Sequence, residues 1–170
     1  VYKRHSDAAA AGIAHAVDTF TQVLEQYGFD GSIFPEKYGI INEGNVSRKS
    51  FGNYFGSILG QRNYEIKAIV AAMKAGQLQF DFTNIAESAY YNEAVSSSQL
   101  MGLYQKIEGQ TPYAANITDA GISFKTTSKL LYGTEFDVIR TSQMQIPDHL
   151  DGGAFKHING DYTYVLWAVR

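Results

Sequence analysis

The chain has 170 residues, which allows one domain or one domain with a small appendage. Hydrophobic residues make up 45% of it and charged residues 18%, the balance of a globular chain rather than a disordered one. A net charge of −3 gives no basic excess for a nucleic-acid backbone and no polybasic tail for a membrane surface, and no apolar run is long enough to span a bilayer.

Cysteine is absent, which excludes disulfides, thiol catalysis and thiolate metal sites but leaves the compartment open. No signal peptide is visible and the first residue is not Met, so Val1 is expected to follow a cleavage or a truncation. The composition includes 12 Tyr, 10 Phe and 1 Trp. Tyrosine can stack on a sugar face and hydrogen-bond through its hydroxyl, although ordinary half-buried packing accounts for most tyrosines in any fold.

In chain order, residues 1–7 read as a polar loop. A helix follows to about Tyr27, because Ile13, Val17, Phe20, Leu24 and Tyr27 recur on one helical face, and Gly28 suits its C-terminal cap. Residues 38–42 read as a buried strand ending on Asn42-Glu43, and 44–56 as a long polar loop containing Arg48 and Lys49. A second helix is expected over 57–75 with Ile58, Ile66, Ile69, Val70 and Met73 inward. The run 78–83 alternates as a strand, with Phe80 and Phe82 on one face and Gln79, Asp81 and Thr83 on the other; in a barrel, whose outer face packs on helices, the Phe pair would face outward and Asp81 and Thr83 inward. This order of helix, strand, loop, helix and strand predicts parallel βα units.

Residues 84–93 read as a polar loop with Glu87, Tyr90, Tyr91 and Glu93. A helix is expected over 97–107, with Leu100, Leu103, Tyr104 and Ile107 on one face, and another from Thr118-Asp119 to Leu131. Beyond Gly133 the pattern predicts short antiparallel strands over 135–140, 143–146, 153–158 and 162–169, the last two joined at Asn159-Gly160. The boundary falls at residues 132–134, giving units 1–132 and 133–170. Two parallel strands cannot cover their own faces, and the last strand runs to the final residue, so the chain is expected to be part of a longer fold.

The segment Tyr38-Gly39-Ile40-Ile41-Asn42-Glu43-Gly44-Asn45 resembles the seventh strand of clan A-type retaining glycoside hydrolases. Residues 46–52 and Gln61-Arg62-Asn63-Tyr64 resemble the loop and helix that follow in secreted bacterial members. Gly153-Ala154-Phe155-Lys156 and 160–168 resemble the start of their β-sandwich. The resemblance implies an α/β fold: the C-terminal part of a (β/α)8 TIM barrel, then the first strands of an antiparallel β-sandwich. It also implies a secreted or cell-surface protein. It makes Glu43 the catalytic nucleophile and places the acid/base, a Glu after Asn on an earlier strand, outside this chain. Asn92-Glu93, the other such pair, falls in a loop.

Retaining hydrolysis needs two carboxyls about 5–5.5 Å apart, one attacking the anomeric carbon and one protonating the leaving oxygen. Strand alternation puts Gly39, Ile41 and Glu43 on one side, with Glu43 at the strand tip where a barrel places its chemistry. His5, Asn42, Asn45 and Asp81 are the candidate substrate contacts, each weighed against a structural role. Arg48 or Lys49 either holds a carboxylate or substrate hydroxyl, or is an exposed cation. His5, His15, His149 and His157 do not pair at metal-ligand spacing, so no metal is expected, and no organic cofactor is required. No Gly-x-Ser-x-Gly elbow, phosphate loop or dinucleotide fingerprint is present. The expected partners are a carbohydrate substrate and the missing N-terminal part of the same barrel, not nucleic acid or membrane. Two rival readings are a carbohydrate-binding module using Tyr162, Tyr164 and Trp167, and an interaction domain meeting a partner through open strand edges.

Overall fold

A computed structural model describes residues 6–37, 39–41, 44–76, 79–80, 84–107, 109 and 116–169. Helix α1, Ser6–Gln26, fills the expected span, and Gly28 just beyond it takes a φ of +78°, which glycine adopts without a Cβ penalty. Its apolar face is covered at one end only. Ile13 and Val17 pack with Val46, Tyr64 and Ala68, while Phe20 and Tyr27 are exposed. An apolar groove of about 840 Å³ lies between this face and the strand that follows, lined by Val17, Phe20, Leu24, Ile40 and Ile41.

Strand β1, Ile40–Ile41, pairs in parallel with β4, Gln79–Phe80, setting Ile40 opposite Gln79 and Ile41 opposite Phe80. Helix α2, Ile58–Lys74, joins them, so β1, α2 and β4 form a βαβ unit. The Ser57 hydroxyl caps α2 by accepting the Gly60 N–H at 2.9 Å. Ile69 and Val70 are buried on α2 as expected, but Ile58, in the helix's first turn, is 45% exposed.

The crossover from β1 to α2 differs from the expected plain loop. It holds an antiparallel hairpin of β2, Lys49–Phe51, and β3, Tyr54–Ser57. Its two-residue turn is Gly52-Asn53, with Gly52 at φ +55°, and that dipeptide between apolar residues is the sequence signal for it.

Residues 84–93 and 97–107 also differ from the loop and helix expected of them. Strand β5, Asn84–Ala86, pairs in parallel with β6, Gly102–Tyr104, and only a single 3₁₀ turn, Ser97–Leu100, stands between them as a helical element. Gly102 decides the strand. A Cβ there would lie 2.3 Å from the Glu87 nitrogen and 2.6 Å from the Ala86 carbonyl carbon, so the two backbones approach at a distance only glycine permits. Helix α3, Asp119–Leu131, runs as expected from its Thr118 cap and packs on α2 and β6.

In the tail, β7, Thr134–Phe136, β8, Leu150–His157, and β9, Tyr162–Ala168, form an antiparallel sheet in that order. The hairpin at Asn159-Gly160 is present, with Gly160 at φ +92°. The strand expected over 135–140 is instead the end of β7 and the start of helix α4, Val138–Gln143, and that expected over 143–146 is the end of α4 and the turn after it. Asp137 turns the chain by accepting the Arg140 N–H at 2.7 Å, and this cap overrides the strand preference of Val138 and Ile139. The sheet is not a separate layer. Phe155, Phe136, Val165 and Trp167 share one cluster with Ile69 and Val70 of α2 and Leu131 of α3. Lys74 at the end of α2 reaches the Asp151 carboxylate at 2.9 Å and the Gly152 carbonyl at 3.0 Å. The architecture is a mixed α/β fold of four α-helices and small sheets, with no closed barrel among the described residues.

Candidate functional site

The segment after β1 is buried, unlike most loops: Gly44, Asn45, Val46 and Ser47 are all shielded from solvent. A buried loop needs its polar groups paired, and Asn45 supplies much of that pairing. Its side-chain amide donates to the Met101 carbonyl, and its Oδ1 accepts the Val46 N–H at 2.7 Å. Gln61 on α2 donates to the Leu100 carbonyl at 3.2 Å, and the Arg48 N–H donates to the same oxygen at 3.2 Å. The 3₁₀ turn therefore fastens the chain that leaves β1.

Arg48 closes the arrangement. Its Nε donates to Oε1 of Glu87, and its Nη2 donates to Oε2 at 2.6 Å, a bidentate fork. The Glu87 side chain is fully buried and that of Arg48 is 11% exposed. The guanidinium also lies 4.8 Å from the Tyr91 ring centroid. Glu87 follows the last residue of β5, and its N–H donates to the Tyr104 carbonyl at 2.9 Å. Of the two readings of Arg48, the carboxylate holder is the one realised, with Glu87 as the carboxylate.

Beside this pair opens a cavity of about 360 Å³, lined by Arg48, Glu87, Tyr90, Tyr91, Asn92, Glu93, Gln105 and Lys106. Lys49 donates to the Tyr91 carbonyl at 3.2 Å, and Lys106 stands 5.0 Å from the Tyr90 ring centroid. Asn45, an expected substrate contact, has no exposed surface, and its amide is taken up by Met101, Val46 and the Gln61 amide at 3.5 Å. In this structure it fixes backbone. His5, Asn42, Glu43 and Asp81 lie outside the described residues. The sequence gives no local sign of the Arg48–Glu87 fork, because its partners stand 39 positions apart.

Glu65 on α2 was not singled out by its sequence context. It is fully buried, and neither carboxylate oxygen has a hydrogen-bond partner among the described residues. Burial alone pushes its pKa well above the usual carboxylate value. Among the described residues no group of three or more His, Asp or Glu side chains gathers to hold a metal ion.

The outer face of β9 carries a second arrangement. The Tyr162 and Tyr164 rings stack at 5.9 Å with 21° between planes, and Arg140 of α4 lies 5.6 and 5.9 Å from their centroids. Arg140 Nε donates to the Tyr164 hydroxyl at 3.1 Å, and the Tyr162 hydroxyl donates to Asp137 at 2.9 Å. The Arg140 N–H and then the Tyr162 hydroxyl hold the Asp137 pKa down. Trp167 points the other way, into the shared core.

The chain matches no known family model, and no curated protein matches it significantly.

Proposed function

We propose that the chain is part of a retaining glycoside hydrolase that cleaves O-glycosidic bonds in a poly- or oligosaccharide, with Glu43 as the nucleophile. The observation that supports this reading is the parallel β1–α2–β4 unit, because Glu43 follows Ile41 by two residues at the carboxyl end of β1. Ligands of parallel α/β folds bind at the carboxyl ends of the strands. The buried strap after Glu43, tied down by Asn45 and Arg48, supports it further, since a nucleophile must be held in one geometry.

In this reading Glu43 attacks the anomeric carbon and forms a glycosyl-enzyme. A second carboxyl protonates the leaving oxygen and then takes a proton from the attacking water. That acid/base belongs to another part of the same polypeptide, on an earlier strand of the barrel. His5, Asn42 and Asp81 bind substrate hydroxyls, and Asn45 serves by fastening the strap. The (β/α)8 barrel, the β-sandwich that the tail would open and the secreted or cell-surface location belong to the same proposal. The exposed apolar groove along α1 and β1 is consistent with further barrel strands and helices covering that side.

The test is the coding frame around this segment, followed by Glu43→Gln in the protein it encodes. The isolated 170-residue chain is expected to leave aryl glycosides intact. The encoded protein is expected to hydrolyse them, and Glu43→Gln to lower kcat by roughly a thousandfold or more. A frame without further βα units, or full activity in the variant, overturns the reading. The second reading, a carbohydrate-binding module, draws on the stacked Tyr162 and Tyr164 rings, and it predicts sugar binding that Tyr164→Ala abolishes.

A further inference from the structure

We propose that the cavity beside Tyr90 and Tyr91 is a sugar subsite that takes an uncharged pyranose or furanose unit of the substrate chain. This inference rests on the glycoside hydrolase reading and adds the class of sugar to it. The position comes first. The cavity lies at the carboxyl end of β5, and the Arg48–Glu87 fork joins it to the strap leaving β1. Glu43 and Arg48 are five positions apart, so at most about 18 Å of extended chain separates them. An oligosaccharide lying across Glu43 can reach this cavity.

The lining then selects the ligand. Its volume of about 360 Å³ is at the small end of ligand pockets, which suits a single sugar unit better than a large aglycone. Of the lining side chains Arg48 and Lys106 are cations and Glu87 and Glu93 carboxylates, so the lining itself carries no net formal charge. The fork of Arg48 is spent on Glu87, which denies a uronate or a sulfated sugar its usual bidentate partner. The remaining groups suit hydroxyls. Asn92 and Gln105 donate and accept, the Tyr90 and Tyr91 hydroxyls do both, and the ring bodies offer apolar surface to sugar C–H bonds. Tyr90 and Tyr91 are 43% and 38% exposed, so an incoming ligand can bury aromatic surface that the protein leaves open.

Isothermal titration of the 170-residue chain tests this, using neutral hexaoses of glucose, xylose, mannose and galactose against hexagalacturonate. At least one neutral series is expected to bind saturably, and the uronate at least about tenfold more weakly. Tyr90→Ala and Asn92→Ala remove exposed side chains and are expected to retain the circular dichroism of the parent. Each should weaken binding roughly fivefold. Tyr164→Ala on the tail should leave it unchanged. The proposal is overturned if no neutral sugar binds, if the uronate binds best, if Tyr90→Ala and Asn92→Ala have no effect, or if Tyr164→Ala carries the loss. The failures separate cleanly: the Glu43 test reads turnover in the longer protein, and this one reads sugar binding at a different group of residues.

Discussion

Arg48 and Glu87 stand 39 positions apart and meet through two parallel hydrogen bonds, with the carboxylate wholly buried and the guanidinium nearly so. The pair joins the strap behind β1 to the strand end of β5. Replacing both partners by well-packed apolar groups would cost little, but removing one leaves the other charge buried and unpaired. Arg48→Met or Glu87→Leu is therefore expected to lower unfolding stability by about 3–5 kcal/mol. Arg48→Lys should not restore it, because an ammonium cannot form the fork. Urea titration of the three variants measures this, and a loss under about 1 kcal/mol would place the pair among ordinary surface salt bridges.

Gly102 is the residue that lets β5 and β6 close on each other. The three atoms nearest an added Cβ are all backbone, at 2.3, 2.6 and 2.7 Å, so no side chain can swing away. Gly102→Ala is expected to cost at least about 2 kcal/mol through displaced backbone. Gly133→Ala is the contrasting case. It has a φ of +70° but an added Cβ meets nothing within 4 Å among the described residues, and it should cost about 1 kcal/mol, the ordinary penalty of a left-handed residue. Equal effects at the two sites would mean that β5 and β6 do not pair this closely.

Glu65 predicts a pH dependence. Its folded-state pKa is raised by burial, so between the unfolded value near 4.5 and the raised value the folded state holds a proton that the unfolded state has lost. Stability then falls as pH rises through that window, with a slope of at most about 1.4 kcal/mol per pH unit, and is greatest at its acid end. Glu65→Gln removes the titration. It should flatten the stability curve above the unfolded-state pKa, so that the variant gains on the parent as pH rises. Identical pH profiles for parent and variant would show that Glu65 gains a partner or solvent in solution.

The tail should not unfold alone. Phe155 is fully buried and packs with Ile69, Val70 and Leu131 as well as with its own sheet. Phe155→Ala is expected to cost about 3–5 kcal/mol. Amide exchange in α2 should speed up together with exchange in β8 and β9, because they share one core. Faster exchange confined to the tail would instead support an independent unit beginning near residue 133.

Helices α1, α2 and α3 and the last hairpin were readable because each rests on local chemistry. The apolar face of α1, the caps Ser57 and Thr118 and the Asn159-Gly160 turn act within a few residues of themselves. The segment 97–107 misleads for the same reason. Leu100, Leu103, Tyr104 and Ile107 have helical spacing, but Gly102 takes a place in a sheet whose partner strand lies sixteen or more residues upstream. Val138 and Ile139 favour a strand until Asp137 caps a helix over them. In the candidate site, the parallel pairing of β1 with β4 was legible from the strand–helix–strand order, while Asn42 and Glu43 lie outside the described residues. Asn45 reads in sequence as a polar loop residue; its burial depends on Met101 and Gln61, which no local pattern announces.

The fastening of that strap has a consequence for synthesis of the chain. Asn45 is tied to Met101, 56 positions later, and Arg48 to Glu87 and Leu100. At roughly 5–20 residues per second, a ribosome needs about 3–11 s to travel that distance. During those seconds the stretch behind β1 stays hydrated, and its polar groups bond to water. The strap after β1 is therefore set late, by chain emerging well after it, rather than by the strand that precedes it.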